Sequence, residues 1–229
     1  MNIGLDRRHA TPWRRLAGAS LALLLLFLPT LAQAHPHGWI DMSMRLVFDD
    51  KGRLAALHQT WRMDPFYSLV ILEELGQADG GGSLEAGLDQ LGNDIRDNLN
   101  PHDYFTELRL GDDRLRLGQV SEYTVLERGG RVEFIFRLPL VDPVALAGET
   151  LRYQVFDPSY YLEVVHEADD DGPLEEALIV GDGRECQTRI VPADPDPERV
   201  LAAAQLDVDE QGESGLGRYF AETGEVTCS

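Results

Sequence analysis

Ile40-Asp41-Met42-Ser43-Met44-Arg45-Leu46-Val47-Phe48, then Asp49-Asp50-Lys51-Gly52, then the run from Leu54 to Met63 through Leu57, His58, Gln59, Thr60, Trp61 and Arg62, is the stretch that decides the fold. In the first run the even positions are apolar and the odd ones include Asp41, Ser43 and Arg45, which is the period of a half-buried strand. The Asp-Asp-Lys-Gly segment supplies turn chemistry, and Leu57, Gln59, Trp61 and Met63 resume the alternation, so the stretch predicts a β-hairpin. With a four-residue loop, Val47 faces Leu54, Ser43 faces His58, Asp41 faces Thr60, Trp39 faces Arg62 and His37 faces Asp64. Met42, Met44, Leu57, Trp61 and Met63 then share the core face.

Downstream, Asp64-Pro65 reads as an N-cap followed by proline in the first helical position, opening a helix through Tyr67, Val70, Ile71 and Leu75 that Gly76 ends. After a glycine-rich turn, Leu84, Leu88, Leu91, Ile95 and Leu99 recur at helical spacing and predict a second, amphipathic helix. Phe105 to Leu110, Arg114 to Leu117, Glu122 to Glu127, Val132 to Leu138, Leu151 to Phe156 and Tyr160 to Glu167 read as short strands. Asp194-Pro195-Asp196-Pro197 is a stiff linker that caps a helix from Glu198 to about Leu206. Leu216 to Ala221 reads as one or two helical turns, before a terminal strand that carries Cys228. The pattern predicts an α+β chain, a strand-dominated antiparallel sheet or sandwich with two to four helices.

Upstream, Arg7, Arg8, Arg14 and Arg15 precede an apolar stretch from Leu21 to Leu28, and Ala32-Gln33-Ala34 supplies a small-residue cleavage site. That is a signal peptide over residues 1–34, read as one for the general secretory route, and it leaves residues 35–229 as one periplasmic domain. The apolar stretch is shorter than the roughly 20 residues of a spanning helix, so no stable membrane insertion is expected after cleavage. Of the formal net charge of −20, removal of four arginines and one aspartate leaves 39 acidic against 16 basic side chains, or −23. Such a surface repels nucleic acid and anionic lipid and keeps the chain soluble. Cys186 and Cys228 are the two cysteines, and in an oxidising compartment they are expected to form a disulfide that stabilises the fold by roughly 4 kcal/mol.

Cleavage after Ala34 makes His35 the first residue, followed by Pro36 and His37. The free α-amine and imidazole of an N-terminal histidine chelate one metal ion, and a second imidazole completes a three-nitrogen set, the histidine brace. In an extended segment His35 and His37 project to one side, roughly 7 Å apart at their α-carbons. Pro36 has no backbone N–H, which disfavours the square-planar peptide-nitrogen mode and leaves imidazole and amine ligation suited to zinc, copper or nickel. An inert, flexible terminus is the competing explanation. Asp64, opposite His37 in the expected register, either ligates or orients the ring, or simply caps its helix. His102, in the turn Asn100-Pro101-His102-Asp103, is a further candidate ligand. His58 lies about 20 Å along the strand from the His37 pair. His166 reads as a core-edge histidine, and Asp157-Pro158-Ser159-Tyr160-Tyr161 as a packing corner. The sequence has no nucleophile elbow, HExxH helix or phosphate loop, and no cysteine left for catalysis, so no enzymatic activity is expected.

His35-Pro36-His37-Gly38-Trp39-Ile40-Asp41, the hairpin around Asp49 to Leu54, Tyr104-Phe105-Thr106 and Asp157-Pro158-Ser159-Tyr160-Tyr161 together resemble the domain of unknown function 1007 family across essentially the whole mature chain. The resemblance implies a periplasmic component of an uncharacterised ABC-type transport system, in the company of permeases of the nickel and cobalt efflux type or of zinc-responsive genes. It thus implies an accessory or binding protein for zinc, nickel or cobalt transport with a membrane metal-ion permease as partner, its motif falling on His35 and His37. A protein module that docks on a permease without metal is the alternative, and an N-terminal-histidine copper oxidase or monooxygenase a further rival. Relatives carry an Asp-x-Asn-x-Asp-Gly segment where this chain has Gln77-Ala78-Asp79-Gly80-Gly81-Gly82-Ser83. One or two side-chain oxygens fall short of the six to eight that calcium takes, so no calcium site is expected.

Overall fold

The computed structural model describes residues 36–77, 83–181, 183–206 and 212–228. The expected signal peptide, the expected ligand His35 and residues 78–82 of the glycine-rich segment lie outside the described residues.

The hairpin forms, as β1 (Gly38–Phe48) and β2 (Leu54–Met63). Its register differs from the expected one by two residues: Asp41 pairs with Arg62, Ser43 with Thr60, Arg45 with His58 and Val47 with Ala56, with an irregularity between Val47 and Phe48. The cause is the loop. Asp49 closes it by accepting hydrogen bonds from the Lys51 and Arg53 amides and from the Arg53 guanidinium, so the turn extends to Arg53 and the ladder restarts one bulge later. Because the shift is even, every side chain keeps its face, and Met42, Met44, Leu57, Trp61 and Met63 are all buried as expected.

Pro65–Gln77 forms α1 and Leu84–Leu99 forms α2. A 3-10 segment at Asn100–Phe105 leads to β3 (Thr106–Leu110) and the short β4 (Asp113–Arg114). Then follow β5 (Glu122–Arg128), β6 (Arg131–Val144), β7 (Thr150–Val155), β8 (Leu162–His166), β9 (Ala168–Asp169), β10 (Gly172–Pro173), β11 (Leu178–Val180) and β12 (Cys186–Val191). The chain closes with α3 (Pro197–Ala204), a 3-10 turn at Leu216–Phe220 and β13 (Thr223–Cys228). This is the expected α+β, strand-dominated architecture. Gly76 lies inside α1 rather than after it, and β11 and β12 are strands that the period-two reading passes over, being short and lacking clean alternation.

Two larger sheets form. One runs β11-β1-β2-β6-β5, with β8 also on the β1 edge, and the other runs β12-β13-β7-β3-β4. The β1 edge is shared: β8 pairs with its first half and β11 with its second, both parallel to it, so this sheet is mixed rather than purely antiparallel. Parallel neighbours need a crossover, and here the chain makes one by leaving β7 in one sheet and entering β8 in the other. The inner faces meet in one core that includes Met42, Met44, Trp61, Phe134 and Phe136 from the first sheet and Leu108, Tyr153 and Val226 from the second. Gln59, fully buried, ties the layers: its amide donates to the Thr106 hydroxyl at 3.0 Å and its carbonyl accepts from Trp61 Nε1 at 2.9 Å. Trp61 sits edge-on to Phe136 at 5.2 Å, a contact worth about 0.5–1.5 kcal/mol beyond area burial.

Cys186 and Cys228 lie directly opposite each other on β12 and β13 and form the expected disulfide. No helix of the described residues is long and apolar enough to cross a membrane.

Candidate functional site

The switch between sheets is built by Asp157. Its carboxylate, only 8% exposed, accepts from the Ser159 amide (2.9 Å) and hydroxyl (2.8 Å) through Oδ1 and from the Tyr161 and Leu162 amides (both 3.1 Å) through Oδ2. Tyr160 takes a positive φ of 58° within this corner, a conformation that the four bonds hold in place. The expected packing corner is therefore an acidic knot that starts β8.

That knot seats the beginning of β1. His37 N–H donates to the Tyr161 carbonyl at 2.9 Å, and the two rings lie 4.5 Å apart, edge to face. One residue on, Gly38 pairs with Leu162, and the Asp64 amide donates to the Trp39 carbonyl. Asp64 does not stand opposite His37 in a ladder, because the two-residue shift moves that register. Its buried carboxylate nevertheless arrives beside the same segment: a Cβ on Gly38 would come 2.6 Å from Asp64 Oδ2. Oδ1 meanwhile caps α1 by accepting from the Phe66 and Tyr67 amides, both at 2.9 Å. The capping reading of Asp64 is thus met by one oxygen, while the other lies against the strand that leads from His37.

Tyr67, on the first turn of α1, completes the group. Burial raises the pKa of its phenol, with further contributions from the neighbouring Tyr161, Glu74 and Asp64. The chain therefore enters the fold between a buried carboxylate, an imidazole and two phenols. Sequence reading missed Tyr67 and the spatial need for Gly38. The aromatic in the first turn after an Asp-Pro cap was visible, but nothing in its spacing tied it to Tyr161. Behind the group, between α1, α2 and the inner sheet face, lies a cavity of about 360 Å³ that reaches from Ile95 and Phe105 to Tyr67 and Leu162.

His102 is elsewhere. It lines a separate surface pocket of about 220 Å³ with Phe105, Arg114, Phe156 and Pro158, a pocket that His37 and Asp64 do not line. Asp103, Tyr104 and Phe105 just after it all have positive φ, so this turn is conformationally strained. Among the described residues no three histidine, cysteine, aspartate or glutamate side chains converge in a metal-binding geometry, which leaves a three-nitrogen set dependent on His35. His58 stands across from Arg45, on the face of the sheet away from the core.

His166 is 3% exposed and bonded at both ring nitrogens, to the Tyr153 hydroxyl and to Glu222 Oε2, each at 2.7 Å. With Nδ1–H donating to Glu222 and Nε2 accepting from Tyr153, all three groups are satisfied. Burial pushes the Tyr153 phenol well up, the Glu222 charge adding to it, in keeping with its place as a donor. The relay joins β8 to β7 and to the segment before β13, and its lack of a spare nitrogen fits the structural reading of His166.

The family described as "Protein of unknown function (DUF1007)" matches residues 20–228. The chain is also similar to an uncharacterized protein of Haemophilus influenzae, at 24% identity over 209 residues that cover 90% of this chain and 97% of the relative.

Proposed function

The chain belongs to the DUF1007 family, whose description carries no activity, and from that premise we propose that it is a periplasmic accessory of transition-metal transport that holds its ion at the processed N-terminus. The observation that carries this reading is the placement of the buried Asp64 carboxylate against Gly38, one residue from His37. The His35 amine and imidazole and the His37 imidazole are the proposed ligands. The Asp64 Oδ2 is the group that orients or neutralises the site, and Tyr67 and Tyr161 shield it. Nitrogen donors with a nearby carboxylate suit zinc, nickel, cobalt or copper rather than calcium. The ion is cargo, held without turnover and exchanged with a membrane permease.

Metal content and calorimetric titration with zinc, nickel, cobalt and copper test this on the chain starting at His35, beside one with an extra alanine ahead of it. Tight binding of one ion, sharply weakened by the added alanine or by His37→Ala, is the expected result. Equal and poor binding by both forms would refute the metal site.

A second reading, a docking module that holds no metal, is favoured by one feature. Phe66 (74% exposed) and Leu69 (52%), one helical turn apart on α1, stand out from the fold. An exposed apolar pair of this kind suits contact with an apolar surface of a permease. Substituting Phe66 and Leu69 with serine would break such docking without touching the nitrogen ligands.

A further inference from the structure

The face of the six-stranded sheet turned away from the core carries an arrangement that the metal reading does not use. Arg45, His58 and Arg137 stand directly opposite one another across β1, β2 and β6. Directly opposed residues share a face, with Cβ atoms about 4.5–5.5 Å apart. The neighbouring row, about 7 Å along the strands, is Ser43, Thr60, Ile135 and Thr124. The two arginines thus lie beside hydroxyls on β1, β2 and β5, with Ile135 of β6 between the last two.

Like charges set opposite each other in a sheet repel. In a chain of net charge −20, carboxylates are plentiful, yet among the described residues the row meets one, Glu122, which accepts from Arg137 Nη1 at 3.0 Å. That pair is open to solvent and contributes little. Arg45 has no ion pair among the described residues and is exposed. On β2, β6 and β5, His58, Glu122, Thr124, Ile135 and Arg137 line a pocket of about 210 Å³, and Arg45 faces its His58 wall from β1 without lining it.

We propose that this face binds a small oxyanion, a carboxylate or phosphate group, between the guanidinium groups of Arg45 and Arg137, with His58 and the Ser43 and Thr60 hydroxyls as further partners. The charge of the row and its donor-rich surroundings fit that chemistry, and the acidic remainder of the surface turns anionic polymers away. His58 reports occupancy. Burial, then the charges of Arg45 and Arg137, lower its pKa, with Glu122 opposing. These are the charged groups that face it from β1, β6 and β5. A bound anion offsets the two arginines and raises the pKa, so affinity increases as pH falls. This site is independent of the N-terminal metal reading.

The test follows the His58 ring signal by NMR in the chain from His35 to Ser229, titrated with inorganic phosphate and with citrate against sodium chloride of equal ionic strength. Saturable shifts and a raised His58 pKa are expected, and Arg45→Gln, at an exposed position, weakens binding by about tenfold or more. A response to phosphate alone, or to citrate alone, supports the site and identifies which oxyanion it takes. If neither moves His58 beyond chloride, or if Arg45→Gln leaves the response unchanged, the proposal fails. His58→Gln, read by calorimetry with the same two anions, separates a lost reporter from a lost site.

Discussion

Replacing Asp157 with asparagine should destabilise this protein far more than an isosteric change at a loop residue suggests. The carboxylate accepts four hydrogen bonds at 2.8–3.1 Å while only 8% exposed. An asparagine that keeps its oxygen toward Ser159 turns its NH₂ toward the Tyr161 and Leu162 amides, so two acceptor bonds become donor–donor contacts. Bonds to a charged group are worth about 1.5–3 kcal/mol each, and the partly exposed Tyr161 amide recovers some of its loss from water. The net cost is about 2–4 kcal/mol. With a urea m-value of about 2 kcal/mol/M, the unfolding midpoint falls by about 1–2 M at unchanged m. Equilibrium urea unfolding of the two proteins, followed by far-UV circular dichroism, measures it. A midpoint within about 0.3 M of the parent would refute the argument that this one carboxylate holds the crossover between the sheets.

Gly38→Ala should cost about 1–3 kcal/mol, because the new methyl lies 2.6 Å from an Asp64 oxygen whose partner oxygen is tied to the α1 cap. Gly76→Ala, with nothing within 4 Å and a helical backbone, should instead stabilise by about 0.5–1 kcal/mol, and thermal melts of the two variants should move in opposite directions. Burial works against the Glu222 carboxylate, but hydrogen bonds from the His166 side chain and backbone hold its pKa below the ordinary 4.5. Its stabilisation is therefore complete above about pH 5 and is lost as pH falls through the depressed value, and Glu222→Gln should flatten the acid limb of a stability–pH curve. Breaking the disulfide by a Cys186→Ser, Cys228→Ser double substitution opens a link of sequence separation 42 and should remove roughly 4 kcal/mol, seen as a lower denaturation midpoint that reductant no longer changes.

The local elements of this fold are written in short-range chemistry, and they were legible for that reason. Alternation over Ile40–Phe48 specifies a strand whatever lies above it, and Asp-Pro before an apolar run specifies a helix start, which Asp64 and Asp196 both supply through side-chain caps. The hairpin register differs from the expected one because it depends on where Asp49 closes the loop, a choice made by Arg53, one residue past the Asp-Asp-Lys-Gly segment. The faces survived that error, since an even slip leaves the inside and outside of a strand unchanged.

At the candidate site, the order His35-Pro36-His37 could be read directly, being contiguous, whereas its surroundings could not. Asp64 and Tyr67 come from the start of α1 and Tyr161 from the turn before β8, and they reach the His37–Gly38 segment because β8 joins the β1 edge in parallel, a pairing that local periodicity does not encode. By itself the sequence determined the hairpin strands, the helix starts, the buried faces and, with two cysteines in the chain, the disulfide, because each follows from residues within a few positions or from there being one possible pairing. Only the tertiary structure decided that the Asp157 corner carries the chain between sheets and that Arg45, His58 and Arg137 line up across three strands, because long-range strand pairing is set by the packing of the whole core.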